Sequence, residues 1–449
     1  DIPNLEKWGN NVLQTEVRMW DVIKSPDINS KWKTKDGTYH PIDFEVTESD
    51  KVSGKYSLKI VDKTEAWSLN NYRYIYQKVR VKPNTTYHYG LSAKAQNART
   101  QWFTVSDFSD RIMLNDTYDW RSFGGTYTTK DDQTEMTMKI YTEASCDYLY
   151  LDDLYIKEDG SDKNLLEDPG FESGESFADK EYTVDYDYID TVRSWFQKAE
   201  DYNVRIDILL AGHNVSFFMR NYPELRYSGG GFYEYNLNAD KIKELYRVYT
   251  EALIPAICDY KSFGTVCLTN EPAFNAADQS VSEFYKNDWC EYLKKTYNND
   301  ISFLNRVYGE NYQSFEEVPL GKSQQCTVQE YDTRDFATDI FTQWHQWFAD
   351  EVKKYAPNAI VHAKTMQYVY ETDHRVSRSQ LGIGTDMAKF ASFSDVNGND
   401  AGAGGSRPSL EMLGFRYDYQ TSNLPAPVVN SEDHCYGGYV DAFGNAALD

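Results

Sequence analysis

The sequence predicts an α/β protein: a (β/α)8 TIM-type barrel interrupted near its start by an all-β sandwich. Three observations predict it. From about residue 183 onward, apolar strand-like runs alternate with helical segments, which requires a parallel sheet, and the number of repeats suits a barrel. Residues 40–158 instead carry β-branched and aromatic alternation broken by turn signals, with no convincing helical stripe. A strand-like stretch also precedes that all-β part, so the barrel begins before it.

In chain order, LEKWGNNVLQTEVRMW (5–20) reads as a helix end, a Gly-Asn turn and a strand ending near Glu16. Residues 1–24 are therefore assigned to the first part of the barrel, 25–172 to the inserted sandwich and 173–449 to the rest of the barrel. The clearest sandwich strands are SGKYSLKIVD (53–62), YIYQKVRVKPNTTYHYGLSAKAQ (74–96), TEMTMKIYTE (134–143) and CDYLYLDDLYIKE (146–158). The chain returns through NLLEDPGFESGESF (164–177). YIDTVRSWFQKAEDYN (188–203) then has helical periodicity, and VRIDILLAGH (204–213) is a buried strand ending in a polar residue. ADKIKELYRVYTEALIPAICDY (239–260) is a helix and FGTVCLTNEP (263–272) a strand. NDWCEYLKKTYN (287–298) and FATDIFTQWHQWFADEVKKYA (336–356) are helical, and NAIVHAKT (358–365) is a strand. SFSDVNGND (392–400) and APVVNSEDH (426–434) read as two more strands.

Bulk composition narrows the function classes. A chain of 449 residues exceeds one ordinary core, so two domains are the default. Its 37 Tyr and 10 Trp suit either an aromatic core or a surface that stacks on sugars and similar flat, hydroxylated ligands. A net charge of -24 argues against nucleic acid and anionic membranes and favours neutral or cationic partners. No run approaches the roughly 18 apolar residues of a membrane span. The six cysteines have neither CxxC spacing nor the density of a disulfide scaffold, so metal or redox chemistry through them is not expected.

In a (β/α) barrel the chemistry lies at the C-terminal ends of the strands. The strands above put Glu16, His213, Asn270 with Glu271, Lys364, Asn399 with Asp400, and Glu432 there. Two of these are glutamates on well-separated strands, which is what retaining glycoside hydrolysis requires. Glu271 comes shortly after the apolar run Thr265 to Leu268, at the mouth of a buried strand where an idle carboxylate would cost desolvation energy.

On LTNEP (268–272) and PVVNSED (427–433) the chain resembles the clan A glycoside hydrolases, most closely the β-galactosidase-like branch near family forty-two. LLAGHNVSFFMRNYPEL (209–225) and DWCEYLKKTYNNDISFLNRVYGENYQSFEEV (288–318) support the resemblance. It implies that Glu271 ends the fourth strand as the general acid/base and Glu432 ends the seventh as the nucleophile. Ionised Glu432 would attack the anomeric carbon while Glu271, held protonated by its carboxylate neighbour and partial burial, protonates the leaving oxygen. The two carboxyl groups should stand about 5–5.5 Å apart. Asn270 would bond the sugar 2-hydroxyl, and His213, Glu16, Asn399 and Asp400 would grip other hydroxyls. His434 would orient the nucleophile or fill the core, and Lys364 would pair with a carboxylate. No cofactor and no catalytic metal are implied; an oligo- or polysaccharide is the expected partner.

SGKYSLKI (53–60), VKPNTTYHYGLSAKA (81–95) and YLDDLYI (150–156) resemble carbohydrate-binding modules of jelly-roll fold. That resemblance implies either sugar binding or a spacer role, and a structural calcium near the aspartates of LYLDDLYI (149–156). With LTNEP as strand four, no candidate remains for strands one and eight, so the barrel is expected to be incomplete in this chain and the chain to be the interior of a longer protein. A secreted or cell-surface bacterial location is expected ahead of the cytoplasm. Two other functions compete. A carbohydrate-binding or structural surface protein with a degenerate barrel is disfavoured by the intact glutamate pair. A phosphate-using barrel enzyme is disfavoured because GGG (229–231) lacks flanking Lys.

Overall fold

The computed structural model describes residues 11–35, 42–63, 73–106, 110–211, 222–225, 235–274, 284–321, 327–366, 383–400 and 410–430. They fall into two compact units, one built from Ile23–Val184 and one from the segments up to Val22 and from Asp185 onward.

The second of these units holds a six-stranded sheet, all parallel and in chain order: β1 Val12–Arg18, β2 Arg205–Ala211, β3 Phe263–Asn270, β4 Ile360–Thr365, β5 Asn397–Asn399 and β6 Val428–Asn430. Parallel strands need helical crossovers, and the sequence supplies them. Helix α1, Tyr186–Asp201, starts at Asp185, whose side chain accepts the Tyr188 amide, and buries Ile189, Val192, Phe196 and Ala199 along one stripe. Helix α2, Asp240–Ile257, buries Leu245, Tyr246, Tyr249, Leu253 and Ile257. Helix α3, Val328–Tyr355, is capped by Thr327, and helix α4, Leu410–Asn423, precedes β6. On β2, Ile206, Ile208 and Leu210 on one face and Asp207 and Leu209 on the other are all buried, as befits a strand covered on both faces. Tyr249 of α2 donates its hydroxyl to the Val17 carbonyl of β1 at 2.6 Å, which ties helix to sheet. The parallel order is the one expected from the alternation, and among the described residues the sheet is open, with β1 and β6 as its edges.

Two expected strands differ in extent. β1 runs two residues past Glu16, to Arg18. The stretch 392–400 contributes only Asn397–Asn399 to the sheet. A short helix, Met387–Phe390, lies just ahead of it because Asp386 accepts the amides of Ala388 and Lys389 and so starts a turn.

The unit Ile23–Val184 contains two five-stranded antiparallel sheets and a short ribbon pairing Ile23–Lys24 with Thr183–Val184. One sheet orders Asp116–Thr128, Thr86–Ala98, Cys146–Glu158, Ser57–Asp62 and Asp43–Thr47; the other orders Lys33–Lys35, Tyr74–Arg80, Glu135–Thr142, Gln101–Thr104 and Ile112–Met113. Leu58, Leu91, Leu149 and Leu151 from the first share one apolar core with Ile75, Phe103, Met138 and Ile140 from the second. Alternating residues on each strand supply this core. The carboxylate of Asp152, one of the two aspartates of LYLDDLYI (149–156), accepts the backbone amides of Val52, Ser53 and Asp153 at 2.8, 3.1 and 2.7 Å. Among the described residues no group of three or more His, Cys, Asp or Glu could hold a metal ion. None of the described helices is long and apolar enough to cross a membrane.

Candidate active site

The C-terminal end of the parallel sheet is shaped by an irregularity in β3. Its register against β4 is regular through Thr265–Ile360, Val266–Val361 and Cys267–His362, then shifts so that Asn270 faces Lys364. Three steps on β3 thus match two on β4, the signature of an extra residue in the strand. Side chains alternate along a strand, so without this bulge Thr269 would share the face of Cys267 and Lys364. With it, Asn270 takes that face, and Thr269 turns to the other side to meet His345 of α3.

Glu271 follows at once. Its amide donates to the Lys364 carbonyl at 2.9 Å, so pairing continues, but its φ is 42°, in the left-handed region. For a residue with a Cβ this costs on the order of 1–3 kcal/mol. The result is a half-buried glutamate just past the last residue of the strand. Beside it, Oδ1 of Asn270 is buried without a hydrogen-bond partner, an acceptor left open at the mouth of the sheet.

Other candidates gather on the neighbouring strands. Lys364 is buried opposite Asn270. Asn399 is buried at the end of β5, and its side-chain amide donates to Gln420 of α4 at 2.5 Å. Asp400, also buried, bonds the Thr365 carbonyl through its amide at 3.2 Å. Asn270, Glu271, Lys364, Asn399 and Asp400 thus occupy one end of β3, β4 and β5. Glu16 does not join them: on β1 it pairs with Leu209, which is level with Cys267 and so below Asn270, and its carboxylate binds Arg18 at 2.9 Å. His213, Glu432 and His434 lie outside the described residues.

Below this layer sits a polar network that the sequence reading missed. Buried Asp207 of β2 accepts Gln14 at 2.7 Å, Thr265 at 2.6 Å and His362 at 3.1 Å, linking β1 to β4 across the sheet. Burial works against its charge, but His362, Thr265 and Gln14 together hold its carboxyl below the usual range. Burial likewise opposes a charged His362, yet Cys267 and Asp207 outweigh it and raise its pKa. A carboxylate in the middle of RIDILLA and an imidazole in IVHAKT, each inside an apolar strand, were the available signals.

Residues 228–412 match the model of glycoside hydrolase family 42, described as β-galactosidase. The chain resembles the family 42 glycoside hydrolases. Asn270, Glu271, Lys364, Asn399 and Asp400 fall inside the matched segment; Glu16, His213, Glu432 and His434 fall outside it. Among solved structures, the chain is similar to an apo family 42 exo-carrageenase from Bacteroides ovatus, with 22% identity and a TM-score of 0.47 over 57% of this chain and 38% of that one. It is also similar to a catalytic mutant of Gan42B, a family 42 β-galactosidase from G. stearothermophilus, with 18% identity and a TM-score of 0.46 over 56% and 38%. A β-galactosidase from Bacillus circulans sp. alkalophilus follows with 14% identity and a TM-score of 0.43 over 54% and 36%. The chain therefore spans under two fifths of the length of these structures. No curated protein matches it. The matched family is one of glycoside hydrolases, the enzyme class expected from the sequence.

Proposed function

We propose that the protein is a retaining β-glycosidase of β-galactosidase-like specificity, with Glu271 as general acid/base and Glu432 as nucleophile. The observation that carries this reading is the backbone of Glu271. A glutamate held at a φ of 42° beyond a strand bulge, beside an acceptor without a partner, is a strained arrangement of the kind that gathers at functional sites. Ionised Glu432 attacks the anomeric carbon and the C–O bond to the leaving group breaks as Glu271 hands its proton to the departing oxygen. Glu271 then takes a proton from water, and the resulting hydroxide displaces the Glu432 ester with overall retention. Asn270 accepts a hydrogen bond from the sugar 2-hydroxyl through its open Oδ1, a contact that strengthens as the ring acquires oxocarbenium character. His213, Asn399 and Asp400 surround the other hydroxyls, and His434 steadies the nucleophile. The unit Ile23–Val184 acts as a jelly-roll module that binds carbohydrate.

The test is to trap the ester. A 2-deoxy-2-fluoro-β-galactoside with a dinitrophenolate leaving group slows the second step more than the first, so a labelled enzyme accumulates. Peptide mapping should find the sugar on Glu432, and NMR of early product from an ordinary aryl β-galactoside should show the β-anomer. An α-anomer, or label on another residue, overturns the mechanism.

A further inference from the structure

The bulge that presents Asn270 and Glu271 is gripped from outside the sheet. Thr269, fully buried, has its Oγ1 2.9 Å from Nε2 of His345, which is fully buried in α3. Nδ1 of His345 lies 2.8 Å from the Phe341 carbonyl. A carbonyl can only accept, so Nδ1 carries the hydrogen and, in a neutral ring, Nε2 accepts from the Thr269 hydroxyl. The ring is kept neutral by its cage: Phe341 and Trp344 meet it edge-on, Phe393 stacks on it and Phe390 leans against it at 4.8 Å. Burial pushes its pKa down to about 3. The Thr269 carbonyl is held too, by the Cys267 thiol at 3.4 Å. The residue just before Asn270 is therefore fixed by its hydroxyl to a helix of 28 residues and by its carbonyl to its own strand.

We infer that His345 is a positioning residue: through Thr269 it sets the bulge in β3 and hence the aim of Asn270 and Glu271. The inference rests on the proposed role of Glu271 as acid/base. Its mechanism is geometric, because a bulge that relaxes by a fraction of an ångström moves the Glu271 carboxyl off the leaving oxygen.

Thr269→Val keeps the shape and removes the hydroxyl; Thr269→Ser keeps the hydroxyl. Thr269→Val should lower kcat/KM about 10–100-fold on an alkyl β-galactoside, which needs its leaving oxygen protonated. On a dinitrophenyl β-galactoside, which does not, the loss should stay within about 3-fold, and Thr269→Ser should track the wild type on both. His345→Gln should behave as Thr269→Val does, and the double variant should be no worse than the more impaired single, since the two residues act as one device. Equal losses on both substrates, matched by a fall in folded fraction, would mean a merely structural role and overturn the inference. Hydrogen exchange over residues 266–274 reads the same device without substrate: Thr269→Val should speed exchange of the Glu271 amide and leave Val266 unchanged. Unaltered exchange also overturns it. A folded wild type that cleaves no glycoside, with the exchange effect present, would count against the role of Glu271 and leave the clamp standing.

Discussion

Glu271 and Lys364 are joined by a backbone hydrogen bond of 2.9 Å although Glu271 has left the β conformation, with a φ of 42°. The sheet thus extends its pairing through a residue in the left-handed region. This fixes the position of the glutamate by main-chain geometry, so the side chain starts from a defined root at the edge of the sheet.

The strain at Glu271 is testable apart from catalysis. Glycine reaches a positive φ without a Cβ penalty, whereas alanine does not. Glu271→Gly should be more stable than Glu271→Ala by about 1 kcal/mol, read from urea unfolding with equal m-values. Equal midpoints would show that the left-handed conformation is not retained at this position.

The two glutamates should fail in different ways. Glu432→Ala should abolish turnover of every glycoside, because no ester can form. Glu271→Ala should keep its first step on dinitrophenyl substrates and lose roughly 10²–10⁴-fold on alkyl ones. Its ester then accumulates for want of a base, and azide, which needs no deprotonation, should release it as a β-glycosyl azide. Matching losses on both substrates in both variants, without azide rescue in either, would remove the assignment.

Much of this arrangement was legible before the structure. The alternation after residue 183 announces a parallel sheet, and LTNEP ends a strand with Asn270 facing its neighbour and Glu271 just beyond. The bulge was not legible. In TVCLTN the run from Val266 to Leu268 is apolar throughout, so no alternation marks the faces, and nothing local says that Thr269 changes face; that depends on His345, distant in sequence, being in place to receive its hydroxyl. The helical spacing of Phe341, Trp344, His345 and Phe348 announces a buried face of α3 but not the cage completed by Phe390 and Phe393. The strand was expected to end near Glu16, yet Val17 and Arg18 continue the pairing with β2.

A methyl group at residue 398 should be expensive. In β5, a Cβ on Gly398 would fall onto Nδ1 of His362 and the carbonyl oxygen of Ala363. The carbonyl belongs to the adjoining strand and His362 is tied to Asp207, so neither yields freely. Gly398→Ala should cost about 1–3 kcal/mol of stability, the range for overfilling a packed interior. Unfolding at unchanged midpoint would mean that β4 and β5 can move apart at little cost.

The cage around His345 makes a signed prediction about pH. Its folded pKa, about 3, lies below its ordinary value of 6.5, so between those limits the unfolded chain binds a proton that the folded protein refuses. Stability from this site is therefore complete above pH 6.5 and declines as pH falls towards 3, by up to about 1.4 kcal/mol per pH unit. Carboxylates such as Asp207, whose pKa is lowered, add their own losses in acid, so the slope of the wild type alone does not isolate the imidazole. His345→Gln does isolate it, because glutamine does not titrate. The variant should be less stable than the wild type at pH 7.5, and the gap should narrow steadily at pH 6, 5 and 4 in urea unfolding. His362, whose pKa is raised, works in the opposite sense, adding stability at low pH that fades as pH climbs through its folded value, and it is common to both proteins. A gap independent of pH would show that His345 binds its proton equally in both states. A gap that widens in acid would show that the caged ring is charged, and the hydrogen bond from Thr269 could not then have the direction assigned to it.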